Sequence, residues 1–504
     1  MKFPNLRRLL GGRGTQPAAG RWDMATPLVQ WSPLDEWSLA DAYEGTLILG
    51  ATGSGKTSGS GKEIAKAMLR NGFGGVVLTA KSDERANWER YCAETGRSDD
   101  LLVFAPGGPS TFNFLDHERT RGGAGAGLTE NIVNLLSTVL EVADRNGGTE
   151  GGRGDEGYWR RAARQLMRNA VDLLSLSGGR VTVPDLYRVV ISAPTSTEQL
   201  RTEEWKANSF CFRCLADADK RTKAPRQVAD FAIVADYFVV EFPALSEKTR
   251  SVIVSTFTSM IDVLNRGVLR EAFCGETTVG PEAVEQGKVI VVDFPVKEFA
   301  EVGLFAQAIM KYAFQRSIER RTVGPDTRPV FLWADEAQHF LTSYDQQFQT
   351  TCRSARVATV LLSQNVSNFY AALGGTEKGR SEAASLFANC NTKIFHANAD
   401  PVTNEWAATV VGKTLQQFAN GNTSSSPEDQ WGSVLGVDWR GAGRNASAGF
   451  SESYDFELQP SVFPTLRTGG AVHNGLVDAI VVRSGRVFRQ SGRSWLPVTF
   501  TQQR

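Results

Sequence analysis

The sequence predicts an α/β fold built on a parallel-rich central sheet and interrupted by an inserted all-α domain, on three observations. Short apolar runs recur along the chain, several of them alternate with segments of helical period, and one long stretch between two runs opens with helical and Gly-rich sequence. A short apolar run without polar alternation suits a strand covered on both faces, and its alternation with helices points to parallel crossovers.

The runs are TLILG (46–50), GVVLTA (75–80), LLVFA (101–105), KVIVVDF (288–294), PVFLWAD (329–335), ATVLLS (358–363) and TKIFHA (392–397). Helical spacing of apolar residues marks SGSGKEIAKAMLR (58–70) and EFAEVGLFAQAIMKYAFQRSIERR (298–321) between them. Within 116–287, NLLSTVLEV (134–142) and YWRRAARQLMRNAVDLLSL (158–176) also repeat at helical spacing, joined by the Gly-rich NGGTEGGRGDEG.

The expected organisation is an arm over a domain surface at 1–40, the first part of a core domain at 41–115, an inserted all-α domain at 116–250, and the second part of the core at 251–418. A flexible Gly/Ser-rich loop is expected at 419–452. A closing β-hairpin is expected at 453–504, with LVDAIVVRSGRVFRQ (476–490) turning around Ser484-Gly485.

The chain has 504 residues and 41% hydrophobic content, enough for a sizeable core in more than one domain. Lys plus Arg and Asp plus Glu number 55 each, which excludes a bulk positive field, so any nucleic-acid contact must be local. Six dispersed cysteines fit free thiols in a reducing compartment. No window reaches the roughly 18–20 apolar residues of a membrane-spanning helix, and the first residues lack the apolar stretch of a signal peptide. The expectation is a soluble, unexported chain in the cytoplasm.

The strongest motif is Gly50-Ala51-Thr52-Gly53-Ser54-Gly55-Lys56-Thr57, which satisfies G-x-x-x-x-G-K-[ST] between an apolar strand and a helix. Glycines let the backbone curl so that successive N–H groups and the helix N-terminus face phosphate oxygens. Lys56 is placed to reach the β and γ phosphates, and the Thr57 hydroxyl to hold Mg²⁺ arriving with ATP. These eight residues form the expected nucleotide site of a RecA-like P-loop NTPase core.

Farther along, an apolar strand ends in Asp335-Glu336. Alone this is an ordinary strand end; beside a P-loop it reads as the metal-shell carboxylate, Asp335, followed by the water-activating one, Glu336. Gln364 follows the strand ATVLLS, where ligands sit in open α/β sheets, and reads either as a γ-phosphate sensor or as the start of a loop. Arg353 and Arg356 precede that strand; each is a candidate arginine finger for a neighbouring subunit or a solvated surface group.

Three further features favour structural readings. Arg160, Arg161, Arg164 and Arg168 form a basic stripe that reads as a solvated helix face, and Tyr158 and Trp159 ahead of it read as core aromatics. Cys211 and Cys214 lack a second ligand pair at zinc-site spacing.

In GATGSGKT, TAKSDE, TFNFLD, LWADEAQ and RSARVATVLLSQN, with the Arg of the last followed eleven residues later by Gln, the chain resembles the TraG/TraD family of type IV secretion coupling proteins. These are relatives of the FtsK-like and HerA-like ring ATPases, and the resemblance covers most of 45–415. Departures are Thr79 where the family often has Asp and Phe114 where it often has Pro; the family's N-terminal membrane helices are expected to be missing, so the resemblance implies contact with the inner membrane only through a partner.

The resemblance implies an ATP-hydrolysing coupling protein that delivers DNA, expected single-stranded, or nucleoprotein to a secretion channel. It also implies a homo-hexameric ring and contacts with a relaxase or channel proteins. The rival readings are a soluble FtsK/HerA-like DNA motor, an ATP-gated docking protein that does not pump, and, more remotely, a small-molecule kinase.

Overall fold

The structure, a computed structural model, describes residues 22–146, 154–221, 224–424 and 445–502. Its centre is a nine-stranded sheet in the order β13-β12-β9-β3-β8-β7-β4-β6-β5. The strands are β3 (Thr46–Leu49), β4 (Gly74–Leu78), β5 (Leu101–Phe104), β6 (Val289–Val292), β7 (Val330–Ala334), β8 (Val357–Ser363), β9 (Thr392–Phe395), β12 (Leu476–Arg483) and β13 (Trp495–Thr501). From β9 to β5 every pairing is parallel, and β12 and β13 close the β9 edge antiparallel.

Each parallel strand buries both faces because its apolar residues do not alternate with polar ones. The period of two then sends Leu47, Leu49, Val76 and Leu78 into one core, and Ile48 and Val77 into another on the opposite face. The first core is covered by the helix Val296–Arg320 and continues into the helical insertion; the second is covered by the helices Lys62–Arg70 and Asp83–Glu94.

The insertion lies between β5 and β6. It includes Thr129–Asn146, Gly154–Ser177, Val183–Ile191, Phe210–Lys220 and Glu247–Ile261. Its expected end at residue 250 falls inside Glu247–Ile261, and helical structure continues to Phe273. Glu118, buried near the start of this region, accepts both Arg320 terminal nitrogens at 2.7 and 3.0 Å and so ties it to the core helix. The expected Gly-rich link within the insertion lies largely outside the described residues.

Three expectations are corrected. The part of the arm that is described is not an arm over the surface: β1 (Pro27–Ser32) and β2 (Asp35–Ser38) form a hairpin whose Trp31 and Trp37 are buried. Trp37 Nε1 donates to Thr392 Oγ1 at 3.2 Å, and Trp31 packs edge-on against Phe500. Burying these large rings outweighs the absence of a local period. Residues 1–21 lie outside the description.

The expected loop 419–452 is, where described, the antiparallel pair β10 (Lys413–Ser424) and β11 (Asn445–Phe456), in which backbone pairing satisfies a polar sequence. Residues 425–444 lie outside the described residues. The closing hairpin turns at Ser484-Gly485, but its return strand is β13 and not 486–490. Asp35 draws the Arg489 and Gln490 N–H groups to its carboxylate, at 2.6 and 3.0 Å, and diverts that segment.

Gly74 opens β4 where a Cβ would stand 1.9 Å from the Val284 carbonyl oxygen. Because that atom is backbone, Gly74→Ala is expected to destabilise the core by about 1–3 kcal/mol, read as a lowered thermal midpoint; an unchanged midpoint would refute this packing.

Candidate functional site

Parallel pairing brings the ends of β3, β8, β7 and β4 to the same edge of the sheet, where open α/β sheets bind ligands. After β3 the chain forms a cradle. Gly53 and Gly55 take positive φ (77° and 84°), which a β-carbon would oppose. The N–H groups of Gly53, Gly55 and Lys56 find no backbone acceptor among the described residues, so they form a nest for an anion. Thr57–Gly61 then makes a wide π-helical turn, with Gly61 N–H bonded to Lys56 C=O at 2.9 Å, before the helix Lys62–Arg70 begins.

Lys56 is buried, its nearest carboxylate oxygen is Glu336 Oε1 at 4.0 Å, and among the described residues its ammonium donates no hydrogen bond. Ser54 Oγ is likewise buried and unpartnered. A buried cation and hydroxyl without acceptors, beneath free N–H groups, fit a phosphate group. Thr57 Oγ1 meets Asp335 Oδ2 at 2.9 Å, so the two oxygens expected to hold Mg²⁺ are adjacent.

Glu336 sits in the left-handed region (φ 52°, ψ 49°), a conformation that costs a non-glycine residue about 1–2 kcal/mol and aims its carboxylate back toward the cradle. Its Oε1 accepts Lys81 Nζ at 2.9 Å and Gln364 Nε2 at 3.3 Å; its Oε2 accepts Gln338 Nε2 at 3.0 Å. Burial pushes the Glu336 pKa up, but the bonds from Gln338 and Lys81 and the charge of Lys56 outweigh it and hold the group at about 2. Burial lowers the Lys81 pKa while Glu336 raises it, and the net direction is up. Burial and the Asp335 charge push Glu84 well above its ordinary value.

Lys56, Thr57, Lys81, Glu84 and Asp335 line a cleft of about 510 Å³ between the cradle and the helix Asp83–Glu94, and the buried Glu336 meets it through Lys81 and Lys56. Gln364 thus joins Lys56, Thr57, Asp335 and Glu336. Arg353 does not: it lies before β8, at the opposite edge and roughly 20 Å of strand from the cleft, with an exposed side chain 3.4 Å from Glu44. Arg356, at φ 55°, donates to the Pro325 and Thr327 carbonyl oxygens and so braces a loop. Asn113 caps the helix Phe114–Thr120 by accepting Asp116 N–H at 3.1 Å.

Reading of the sequence missed Gln338 and Glu84 and assigned Lys81 no role. It also missed the layer beneath the cradle, in which Ser60 Oγ lies 2.7 Å from His396 Nε2 and His396 Nδ1 lies 3.0 Å from the Asp478 carbonyl oxygen. For Lys81, Glu84 and Gln338 the signal was their place within the stretches TAKSDE and LWADEAQ. For His396 there was none, because its partners belong to distant strands.

Sheet order and cradle together define the class: a P-loop nucleotide-binding fold in which β8 separates the P-loop strand from the Asp-Glu strand. Within that class, the fold is the one seen in the conjugative coupling protein TrwB. The unbound form of TrwB matches with a TM-score of 0.60 at 14% identity, over 96% of this chain and 90% of that one. TrwB in complex with ADP and Mg²⁺ matches at 0.59 and 15% identity, over 93% and 88% of the two chains. TrwB with the non-hydrolysable ATP analogue ADPNP matches at 0.58 and 16%, over 98% and 97%.

Residues 329–447 match the family described as the TraM recognition site of TraD and TraG. The resemblance to TraG/TraD coupling proteins read from the motifs is therefore met both in fold and in this segment. No curated protein sequence matches the chain. Among the described residues no helix is long and apolar enough to cross a membrane.

Burial, reinforced by the Lys56 charge, depresses the His396 pKa to about 4, so the ring is neutral when folded; Nδ1–H donates to Asp478 and Nε2 accepts the Ser60 hydroxyl. The unfolded chain binds that proton near pH 6.5, so stability falls as pH drops from about 6.5 toward 4, by roughly 3 kcal/mol in all. Thermal midpoints followed from pH 7.5 to 5 should decline less steeply in His396→Gln than in the wild type; equal slopes would contradict the assignment.

Proposed function

We propose that the chain is an ATP-driven coupling protein that hydrolyses ATP to deliver DNA, or a nucleoprotein carrying it, to a type IV secretion apparatus. The observation that carries this reading is the convergence of Lys56, the Thr57–Asp335 pair and Glu336 at one edge of the sheet in a coupling-protein fold.

In the proposed reaction, cradle N–H groups and Lys56 bind and orient the phosphates of ATP, and Glu336 accepts a proton from the attacking water. Mg²⁺, held by Thr57 and Asp335, would neutralise phosphate charge. Gln364, already bonded to Glu336, is suited to hold that carboxylate or the water in place. Catalysis is then mostly positioning and charge neutralisation.

Subunits are proposed to act in a homo-hexameric ring. Arg353, exposed and remote from its own cleft, is the residue offered to the neighbouring one. The match of 329–447 supports a relaxosome protein as partner, and membrane contact is assigned to a partner.

Lys56→Ala is expected to abolish ATP turnover and Glu336→Gln to lower it by about 10²–10⁴-fold. Measured with single-stranded, double-stranded or no DNA, and with oligomeric state followed by light scattering, wild-type turnover should rise with DNA as rings form. Wild-type rates in Lys56→Ala, or hydrolysis indifferent to DNA, would overturn the enzymatic or the DNA-motor part respectively.

A further inference from the structure

Among the charged groups that line the cleft and that the nucleotide motifs leave without a role, Lys81 is bonded to Glu336. It follows β4 by three residues, as Glu336 follows β7 by two, and β4 and β7 pair in parallel with Leu78 opposite Ala334. Sheet register therefore delivers the ammonium to the carboxylate.

The backbone beneath Lys81 is held firmly. Ala80 N–H and Lys81 N–H donate to the two Glu84 oxygens at 3.0 and 3.3 Å, and Lys297 N–H donates to Ala80 C=O at 3.1 Å. One residue earlier, the buried Gln307 Nε2 donates to the Thr79 and Val292 carbonyl oxygens at 3.1 and 2.8 Å.

The side chain itself is one-third exposed and lines the cleft. Among the described residues its ammonium has a single hydrogen-bond acceptor, Glu336 Oε1 at 2.9 Å, so two of its three protons are open to the cleft. Lys56 approaches the same Glu336 oxygen from the P-loop, at 4.0 Å. Two lysines from different strands thus bracket one carboxylate, and the space between them is lined by the phosphate cradle.

Resting on the NTPase reading, we propose that Lys81 is a second phosphate-binding lysine, specific for the terminal phosphate of a nucleoside triphosphate, and that it exchanges between that phosphate and Glu336. A diphosphate does not reach Lys81, and the ammonium stays on the carboxylate. A triphosphate offers an acceptor of higher charge, the ammonium transfers to it, and Glu336 loses its strongest tether when there is a phosphate to attack. Hydrolysis is thereby restricted to the triphosphate-bound site by a change of hydrogen-bond partner, with no covalent step.

The test compares binding of ADP and of ADPNP, each with Mg²⁺, to the wild-type protein, Lys81→Met, Lys81→Arg, Glu336→Gln and the double variant Lys81→Met/Glu336→Gln, by calorimetry. Because Lys81 gives up one charged hydrogen bond, of about 1.5–3 kcal/mol, to make another, Lys81→Met removes only their difference and should weaken ADPNP by about 3- to 10-fold while leaving ADP within about twofold. Lys81→Arg should retain most of the discrimination. Glu336→Gln should tighten ADPNP by releasing the ammonium, and that gain should shrink when Lys81 is also replaced.

Equal loss of ADP and ADPNP in Lys81→Met would make the residue a structural brace and overturn the proposal, as would unchanged affinities or a Glu336→Gln gain that persists without Lys81. Failure of the wild-type protein to bind either nucleotide would overturn the NTPase reading and this inference with it.

Discussion

The parallel register of β3, β8, β7 and β4 is the constraint on which the rest depends. Each of these strands ends at the same edge and hands one or two functional groups to the site: the P-loop from β3, Gln364 from β8, Asp335 and Glu336 from β7, and Lys81 from β4. A slip of one residue would turn every side chain of a strand to the opposite face, and both cores forbid it, since Val76 and Leu78 fit one and Val77 the other. Apolar packing on two faces thus sets the distance between a lysine and a carboxylate to within a hydrogen bond.

The strands and the P-loop were legible because a strand buried on both faces is an uninterrupted apolar run and a phosphate cradle has few sequence solutions. What escaped reading has a common physical origin, namely contacts between residues hundreds of positions apart. Trp37 looks isolated locally and is buried because Thr392 and the second core receive it. Residues 486–490 look like a returning strand and are drawn aside by Asp35.

The polar ribbon β10–β11 escaped for a different reason: its sequence carries little hydrophobic alternation, and backbone pairing leaves no signature in side chains. In the site, local motifs identified the residues that act on phosphate, while the groups that set the state of Glu336, namely Lys81 and Gln338, required the register or the loop geometry to be known. Arg353 shows the converse, since its spacing from Gln364 follows the family pattern although β8 separates the two by its whole length.

The cradle is closed from below by the far part of the chain. His396 meets Ser60, the Val477 side chain fills the space beside Gly55, and Gln502 Nε2 donates to Ser58 Oγ at 2.6 Å across 444 positions. Chains are synthesised at about 5–20 residues per second, so on the ribosome the P-loop emerges roughly 20–90 seconds before the strands that support it. Until then its glycines and the wide turn after them lack their packing partners, and a nascent or truncated chain should be unable to capture nucleotide. Competence to bind is in this way deferred until nearly all of the protein has been made.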